Sequence, residues 1–480
     1  MSKFLTMNSK IFYNKIIIYL IFTIIAFLAR YFLFEGRESW HDEWHSLYVS
    51  EPLISNAETL DRYYGNKGDD FLTEFYPPLY LFILKYWFQI FGYIDENGRW
   101  LSLIAGTLCV PLSIYLSSFF QKNIKLYFIG FIIAFNLFLI WQSLEIRAHS
   151  LLVLLSLLNI IFFYKLLEKK NFFNISLYIF LSITLLSLWP ISGAIFFGKT
   201  IYLLKKLILE RHFEKLIFLL FAFILIAYVI INIDYLILNL SRDFHYTSLY
   251  SSFFYNYHFR TFFGSKILGG IFLITFSFLF IKNFRKIIFF NYKENLIIYI
   301  ILSSYFLTLL YTFFKASIMS PKYVIFILPL IIIWISIELE NFSKKNIAKF
   351  ILAFCSVIFF ILQINNSPIK RPPLNEALNI IIKDKSKFVT TKEFDVFNKY
   401  LVTKKIFIEQ NLILLDDKIP FKDEVVSFWF ICLNNPSHKV GDKKLPDEKK
   451  CVNFRPKDNK FEIVKEVRIN EFILKKFYRD

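Results

Sequence analysis

Glycine is scarce in this chain, at 13 of 480 residues, and no internal repeat is visible. Transporters built from inverted repeats and Gly- or Pro-broken helices normally show such features, so that class is disfavoured. Cysteine is scarcer, at four. Cys109 and Cys355 fall in apolar stretches and read as core, which leaves one pair, Cys432 and Cys451, in a polar tail. If that tail faces an oxidising compartment, the pair is expected to form a disulfide closing a lysine-rich loop. Acidic residues are outnumbered 38 to 56 by Lys and Arg, for a net charge of +18. The basic excess lies in short turns between apolar runs, which is the positive-inside pattern of a membrane protein. Nucleic acid is therefore not an expected partner. Also missing is a small-x-small cleavage site after the first apolar run, so that run reads as an uncleaved anchor.

What is abundant is hydrophobic length. The chain is 56% hydrophobic and 20% aromatic. Apolar stretches run over Ile11–Phe34, Leu101–Phe120, Leu126–Trp141, Leu151–Leu167, Phe172–Trp189, Ile191–Leu204, Leu216–Leu240, Ile267–Ile281, Leu296–Phe314, Tyr323–Ile337 and Phe350–Ile364. They do not alternate, so they read as helices, not barrel strands. The segment Tyr76–Gly92 is of marginal length and carries Lys85 and Gln89 on one face. Placing it in the interface keeps Lys122, Lys125 and every later basic turn on one side. The expected architecture is an all-α polytopic membrane protein of about eleven spans, N-terminus inside, with a small mixed α/β domain on the far side. Residues 1–364 form the membrane part, including a first outer loop over 35–98, and residues 365–480 the outer domain. The tail opens on the linker signal Arg371-Pro372-Pro373. It then shows strand-like Lys405–Ile408 and Val425–Phe430, and a hairpin-like stretch from Phe461 to Phe477.

The first polar run after the first span is Ser39-Trp40-His41-Asp42-Glu43-Trp44-His45. Two adjacent carboxylates at a membrane surface suit general acid–base chemistry. Glu145, Arg147, Arg260, Lys266, Lys315 and Lys322 are expected on the same side, and ionisable groups at that depth are costly unless paired or functional. His41 and His45 are spaced i, i+4, but the order His-Asp-Glu is not the zincin pattern. A divalent ion held by His45 with Asp42 or Glu43 stays open as an alternative. Trp40 and Trp44 read as interfacial anchors. Tyr246, Tyr250, Tyr255, Tyr257 and His258 form an aromatic loop, read either as an interfacial belt or as a surface for sugar rings.

Several motifs follow one another in order. Trp40-His41-Asp42-Glu43 follows the first span, after a polar loop comes Tyr76-Pro77-Pro78-Leu79-Tyr80, and Arg99-Trp100-Leu101-Ser102 opens the next span. Trp141-Gln142-Ser143-Leu144-Glu145-Ile146-Arg147-Ala148 follows the third span, and Ser320-Pro321-Lys322-Tyr323 heads a late one containing Pro329. In this order the chain resembles the GT-C superfamily of membrane glycosyltransferases. That group includes the dolichyl-phosphate-mannose protein mannosyltransferases and the aminoarabinose transferases of lipid A. The resemblance implies a sugar transferase of the bacterial inner membrane, with its site and C-terminus on the periplasmic side. Its donor would be a polyprenyl-phosphate-linked sugar, and its acceptor a glycan, lipid or protein hydroxyl. It implies Asp42 as the catalytic carboxylate, with Glu43 and Glu145 beside it. Lys322 would bind the donor phosphate, with Arg147, Arg260, Tyr323 and Tyr76 as further substrate-binding residues. Tyr76 stands where such proteins often have His, and Lys322 where they more often have Arg. The rival readings are a transporter or flippase of lipid-linked sugars, a polysaccharide polymerase or ligase, and a catalytically dead assembly factor.

Overall fold

A computed structural model describes residues 2–34, 37–39, 41–64, 76–120, 127–211, 213–240, 252–290, 292–315, 318–340, 342, 345–364, 374–384, 387–391, 412–415, 422–433, 451–456, 460–469 and 472–479. Trp40, Tyr246, Tyr250, the strand-like Lys405–Ile408 and the Arg371-Pro372-Pro373 linker lie outside these residues. In chain order the helices are α1 (Ser2–Tyr31), α2 (His41–Val49), α3 (Asn56–Tyr64), α4 (Leu79–Phe91), α5 (Asp95–Ser117), α6 (Tyr127–Ala134), α7 (Leu137–Ser143), α8 (His149–Glu168) and α9 (Phe172–Leu188). They continue as α10 (Gly193–Glu210), α11 (Lys215–Ile231), α12 (Ile233–Leu240), α13 (Arg260–Phe263), α14 (Lys266–Phe289), α15 (Asn295–Phe314), α16 (Ile327–Leu339), α17 (Lys345–Ile364) and α18 (Leu374–Lys383). The strands are β1 (Phe388–Thr391), β2 (Ile413–Leu415), β3 (Ser427–Leu433), β4 (Phe461–Ile469) and β5 (Phe472–Arg479). Two compact units result: one of residues 1–35, 74–80 and 99–367, the other of residues 36–73, 81–98 and 368–480.

The first unit is helical. Among the described residues, α5, α8, α14, α15 and α17 are each long and apolar enough to cross a membrane, and α11 with α12 makes a sixth if that bent pair is one span. Its centre is α16, all of whose residues are buried. Helices close on one another where a small residue permits it. A Cβ on Gly198 of α10 would lie 2.7 Å from the Ile300 Cα of α15. Large exposed side chains on α14, such as Ile274, Phe278 and Ile281, suit contact with lipid. Lysines of the predicted inner turns are paired with glutamates: Glu214 with Lys170 at 2.6 Å and Lys206 at 2.9 Å, Lys286 with Glu294 at 3.0 Å and Glu338 at 3.4 Å.

Two of the expected spans are broken, and asparagine does the breaking. The stretch read as one helix over Leu126–Trp141 divides into α6 and α7. Asn136 Oδ1 caps α7 by accepting from the Leu139 N–H at 2.9 Å, and its amide donates to the Phe262 carbonyl at 2.8 Å. The stretch Leu216–Leu240 bends by 78° between α11 and α12. There Asn232 donates to Ser187 Oγ at 2.9 Å and to the Tyr228 carbonyl at 3.0 Å. In hydrocarbon a broken helix persists only where side chains satisfy the freed backbone. Lys199 follows the same rule, donating to Asn159 Oδ1 and to Tyr178 Oη.

The second unit combines the tail with most of the first outer loop, which the sequence had grouped with the membrane part. Its five-stranded sheet has order β2-β1-β3-β5-β4. The pairs β1–β2 and β1–β3 are parallel, while β3–β5 and β4–β5 are antiparallel. Strand β3 is apolar throughout because both its faces are covered. Phe428, Phe430 and Cys432 pack with Cys451, Phe454, Phe461 and Phe477. Trp429 and Ile431 pack on the other face with Leu374, Ala377, Leu378 and Trp44. Trp44 is thus a core residue of this unit at 3% exposure, not an interfacial anchor. Cys432 and Cys451 are joined in a disulfide, with Cα atoms 5.7 Å apart.

Helix α4 rises only about 20 Å at ~1.5 Å per residue, against about 30 Å of hydrocarbon. Its lysine faces protein: Lys85 Nζ donates to the Ile54 carbonyl at 2.7 Å, Asn56 Oδ1 at 2.9 Å and Thr59 Oγ1 at 3.0 Å. Ile90 and Phe91 are exposed, as are Leu53 and Ile94 nearby, an apolar surface that suits an interface.

Asp384, just past α18, accepts from Trp429 Nε1 at 2.9 Å and pairs with Lys476 at 2.7 Å. Partial burial raises its pKa, but those two partners outweigh it and hold the carboxyl below its ordinary value. Asp384 thus adds stability above the usual carboxylate range, and that stability is lost as pH falls through the lowered value. Asp384→Asn in the full chain should cost about 1 kcal/mol at pH 7. The gap to wild type in thermal unfolding should close at acid pH, and a gap that does not change with pH would refute this.

Candidate active site

The carboxylates sit in the first turn of α2, where a helix N-terminus favours negative charge. The helical repeat gives neighbours unlike surroundings. Glu43 is fully buried, Trp44 enters the core shared with the tail, and Asp42 is only half-buried. Ser46 Oγ donates to the Asp42 carbonyl at 3.2 Å, and Tyr93 Oη donates to the Leu47 carbonyl at 2.8 Å. Ahead of the helix, Ser39 Oγ donates to the Asp95 carboxylate in the first turn of α5. His45 is buried, and the His41 side chain lies outside the described residues. Among the described residues no group of three or more His, Cys, Asp and Glu is placed to hold a metal.

In the first unit a second set assembles around Trp189. Its indole stacks on Tyr76 with ring centroids 5.0 Å apart at 26°, and Tyr80 meets Tyr76 edge-on. The Trp189 Nε1–H donates to the Tyr323 carbonyl at 3.0 Å, and the two rings lie 5.7 Å apart. His149 approaches the indole at 5.4 Å. The Arg147 guanidinium lies over the Tyr76 ring at 5.6 Å, and the Lys322 ammonium lies 5.5 Å from the Tyr323 ring. Each cation thus lies within about 6 Å of a tyrosine ring, the range of a cation–π attraction. A 3-10 turn over Pro321–Val324, with Pro at its start, sets Lys322 and Tyr323 at the head of α16.

The predicted residues thus divide. Tyr76, Arg147, Lys322 and Tyr323 come together, while Glu145 is buried in the turn that carries Arg147. Ser102 Oγ supports that turn by donating to the Arg147 carbonyl at 3.3 Å. Arg260 is exposed at the start of α13, unlike the buried Trp189 group. His258 does not offer a sugar-stacking face. It is buried in a π-helical turn over Phe254–Phe259, with Nε2 3.0 Å from Tyr305 Oη. Tyr255 remains exposed. Sequence reasoning missed Trp189, whose signal was a Trp-Pro pair at a span end, and His149, two residues past Arg147.

The fold has counterparts among solved structures. ArnT from Cupriavidus metallidurans in the apo state is similar, with a TM-score of 0.57 at 10% identity over 95% of this chain and 97% of that one. ArnT from the same organism bound to undecaprenyl phosphate gives 0.52 at 9% identity over 96% and 97%. The chain shares the fold of these two ArnT structures. At this identity the likeness is one of fold. No protein-family model matches the sequence, and no curated protein does either.

Trp189→Phe keeps a ring against Tyr76 but removes the hydrogen bond to the Tyr323 carbonyl, at a cost of about 1 kcal/mol. Trp189→Ala also removes the ring, for about 3–5 kcal/mol. Thermal unfolding of the solubilised protein should rank wild type above W189F and W189F above W189A. Equal midpoints would show that the indole does not hold the Lys322 turn.

Proposed function

We propose that this chain is an inverting glycosyltransferase that moves a sugar from a polyprenyl-phosphate donor to a hydroxyl acceptor at the outer face of a bacterial inner membrane. The observation that carries the reading is the convergence of Arg147 and Lys322 on the Tyr76–Trp189–Tyr323 aromatic group. It occurs in a fold shared with a protein crystallised with undecaprenyl phosphate. Arg147 and Lys322 bind the donor phosphate and stabilise the charge it gains on leaving. The acceptor oxygen attacks the anomeric carbon opposite the phosphate. Its proton passes to the Asp42 carboxylate, the anomeric C–O bond breaks, and polyprenyl phosphate leaves with the electron pair. Glu43 and Glu145 orient the acceptor. A cavity of about 400 Å3, lined by Leu186, Phe196, Phe197, Phe221, Leu225 and Leu307, supports a seat for part of the donor's isoprenoid chain. The full set of about eleven spans, with the tail outside, belongs to the same reading.

A second reading has one observation in its favour. The broken spans at Asn136 and Asn232 are the kind of interruption found in secondary transporters, which favours a transporter or flippase of lipid-linked sugars. Transfer activity of the purified protein separates the two.

Asp42→Asn keeps the shape and removes the base. Purified D42N should transfer sugar from undecaprenyl-phosphate-linked donors about 10²–10⁴ times more slowly than wild type. A wild-type rate would end the assignment of Asp42. Sidedness is tested with exposed positions. A cysteine at Val464 in β4 should react with an impermeant reagent added outside, and one at Lys169, after α8, only after permeabilisation. The reverse pattern would invert the topology.

A further inference from the structure

Arg30, in the last turn of α1, is fully buried inside the helical unit. A cation at that depth is expensive, and a leucine would pack there at no such cost. Its NH1 donates to the Ala26 carbonyl of its own helix at 3.0 Å and reaches the Ala134 carbonyl at 3.5 Å. Ala134 is the last residue of α6, where carbonyls have lost their helical donors and the helix dipole favours a cation. Arg30 therefore caps the upstream side of the break in the third span, while Asn136 caps the downstream side. The same guanidinium borders α7. A Cβ on Gly106 of α5 would lie 2.4 Å from Ser143 Cβ and 3.3 Å from Arg30 Nε, so α5, the Arg30 side chain and the end of α7 meet at one point. Gly106 and Ser102 are four residues apart on α5, and Ser102 holds the Arg147 carbonyl. The short helix is thus located at its start by Asn136 and at its end by Arg30 and Gly106. Immediately past that end comes the turn with Glu145 and Arg147.

We propose that Arg30 is a positioning residue that seats α7 in the broken third span, so that the Glu145–Arg147 turn is held in place for the donor phosphate. The proposal rests on the polyprenyl-phosphate reading above, and its test separates the two. Trp141 lies on α7 and reports the placement of that helix. Full-length protein is labelled with 5-fluorotryptophan, and the Trp141 resonance is assigned by its loss in Trp141→Phe. Arg30→Met, Arg30→Lys and Gly106→Ala are then compared with wild type by 19F NMR and by binding of undecaprenyl phosphate. Arg30→Met and Gly106→Ala should each move the Trp141 resonance and weaken binding by about tenfold or more, the scale of losing a charge-assisted hydrogen bond. Arg30→Lys, which keeps a cation for the Ala134 carbonyl, should recover part of both. A Trp141 resonance or an affinity that stays at the wild-type value in both Arg30→Met and Gly106→Ala overturns the proposal, whatever happens to thermal stability. Should Arg30→Met fail to fold, Gly106→Ala and Arg30→Lys still decide it. Wild type that does not bind undecaprenyl phosphate would count against the functional reading instead, and the Trp141 shift would still report on the seating of α7.

Discussion

The governing constraint is that hydrocarbon offers no hydrogen bonds. Every interruption of a spanning helix must then be satisfied from within the protein. At the break in the third span Asn136 and Arg30 do this, Asn136 by accepting from the Leu139 N–H and Arg30 by donating to the Ala134 carbonyl. The breaks let the chain present short turns where unbroken spans would pass straight through. The Glu145–Arg147 turn is one such product, and the turn at Lys322 is another, set by Pro321 and held by the Trp189 indole.

The aromatic group around Trp189 brings two cations close to tyrosine rings. Arg147 and Lys322 each lie near a tyrosine ring, and both tyrosines meet one indole, Tyr76 by stacking and Tyr323 by a tilted contact and a hydrogen bond. A ring face attracts a cation through its quadrupole and so biases where the charge sits.

Much of the architecture was legible because its signals are periodic. Long apolar runs gave helices, and the short apolar run of β3 and the β4–β5 hairpin gave a sheet. The breaks were not legible, because Asn136 and Asn232 sit in runs whose hydropathy is otherwise continuous, and a cap is a matter of geometry. Arg30 stands near the end of a span, where a charge ordinarily snorkels outward, whereas here it turns in. Trp44 followed the pattern of an interfacial anchor, yet its partners are hundreds of residues away in the chain. At the candidate site, the order of motifs brought out Tyr76, Arg147, Lys322 and Tyr323, which do assemble. Trp189, which joins them, belongs to no motif.

Trp44 carries a consequence for how the protein matures. The helix that presents Asp42 is fastened by a side chain whose neighbours are Leu374, Trp429 and Leu474. A ribosome delivers the carboxylate with the first span, but the wall that Trp44 packs against is made only as the final strands emerge. During synthesis the membrane helices can insert in turn while α2 waits without its anchor. The helix translated directly after the first span is thus among the last to be fully fixed, and chains that stop short of β5 would lack the wall that Trp44 packs against.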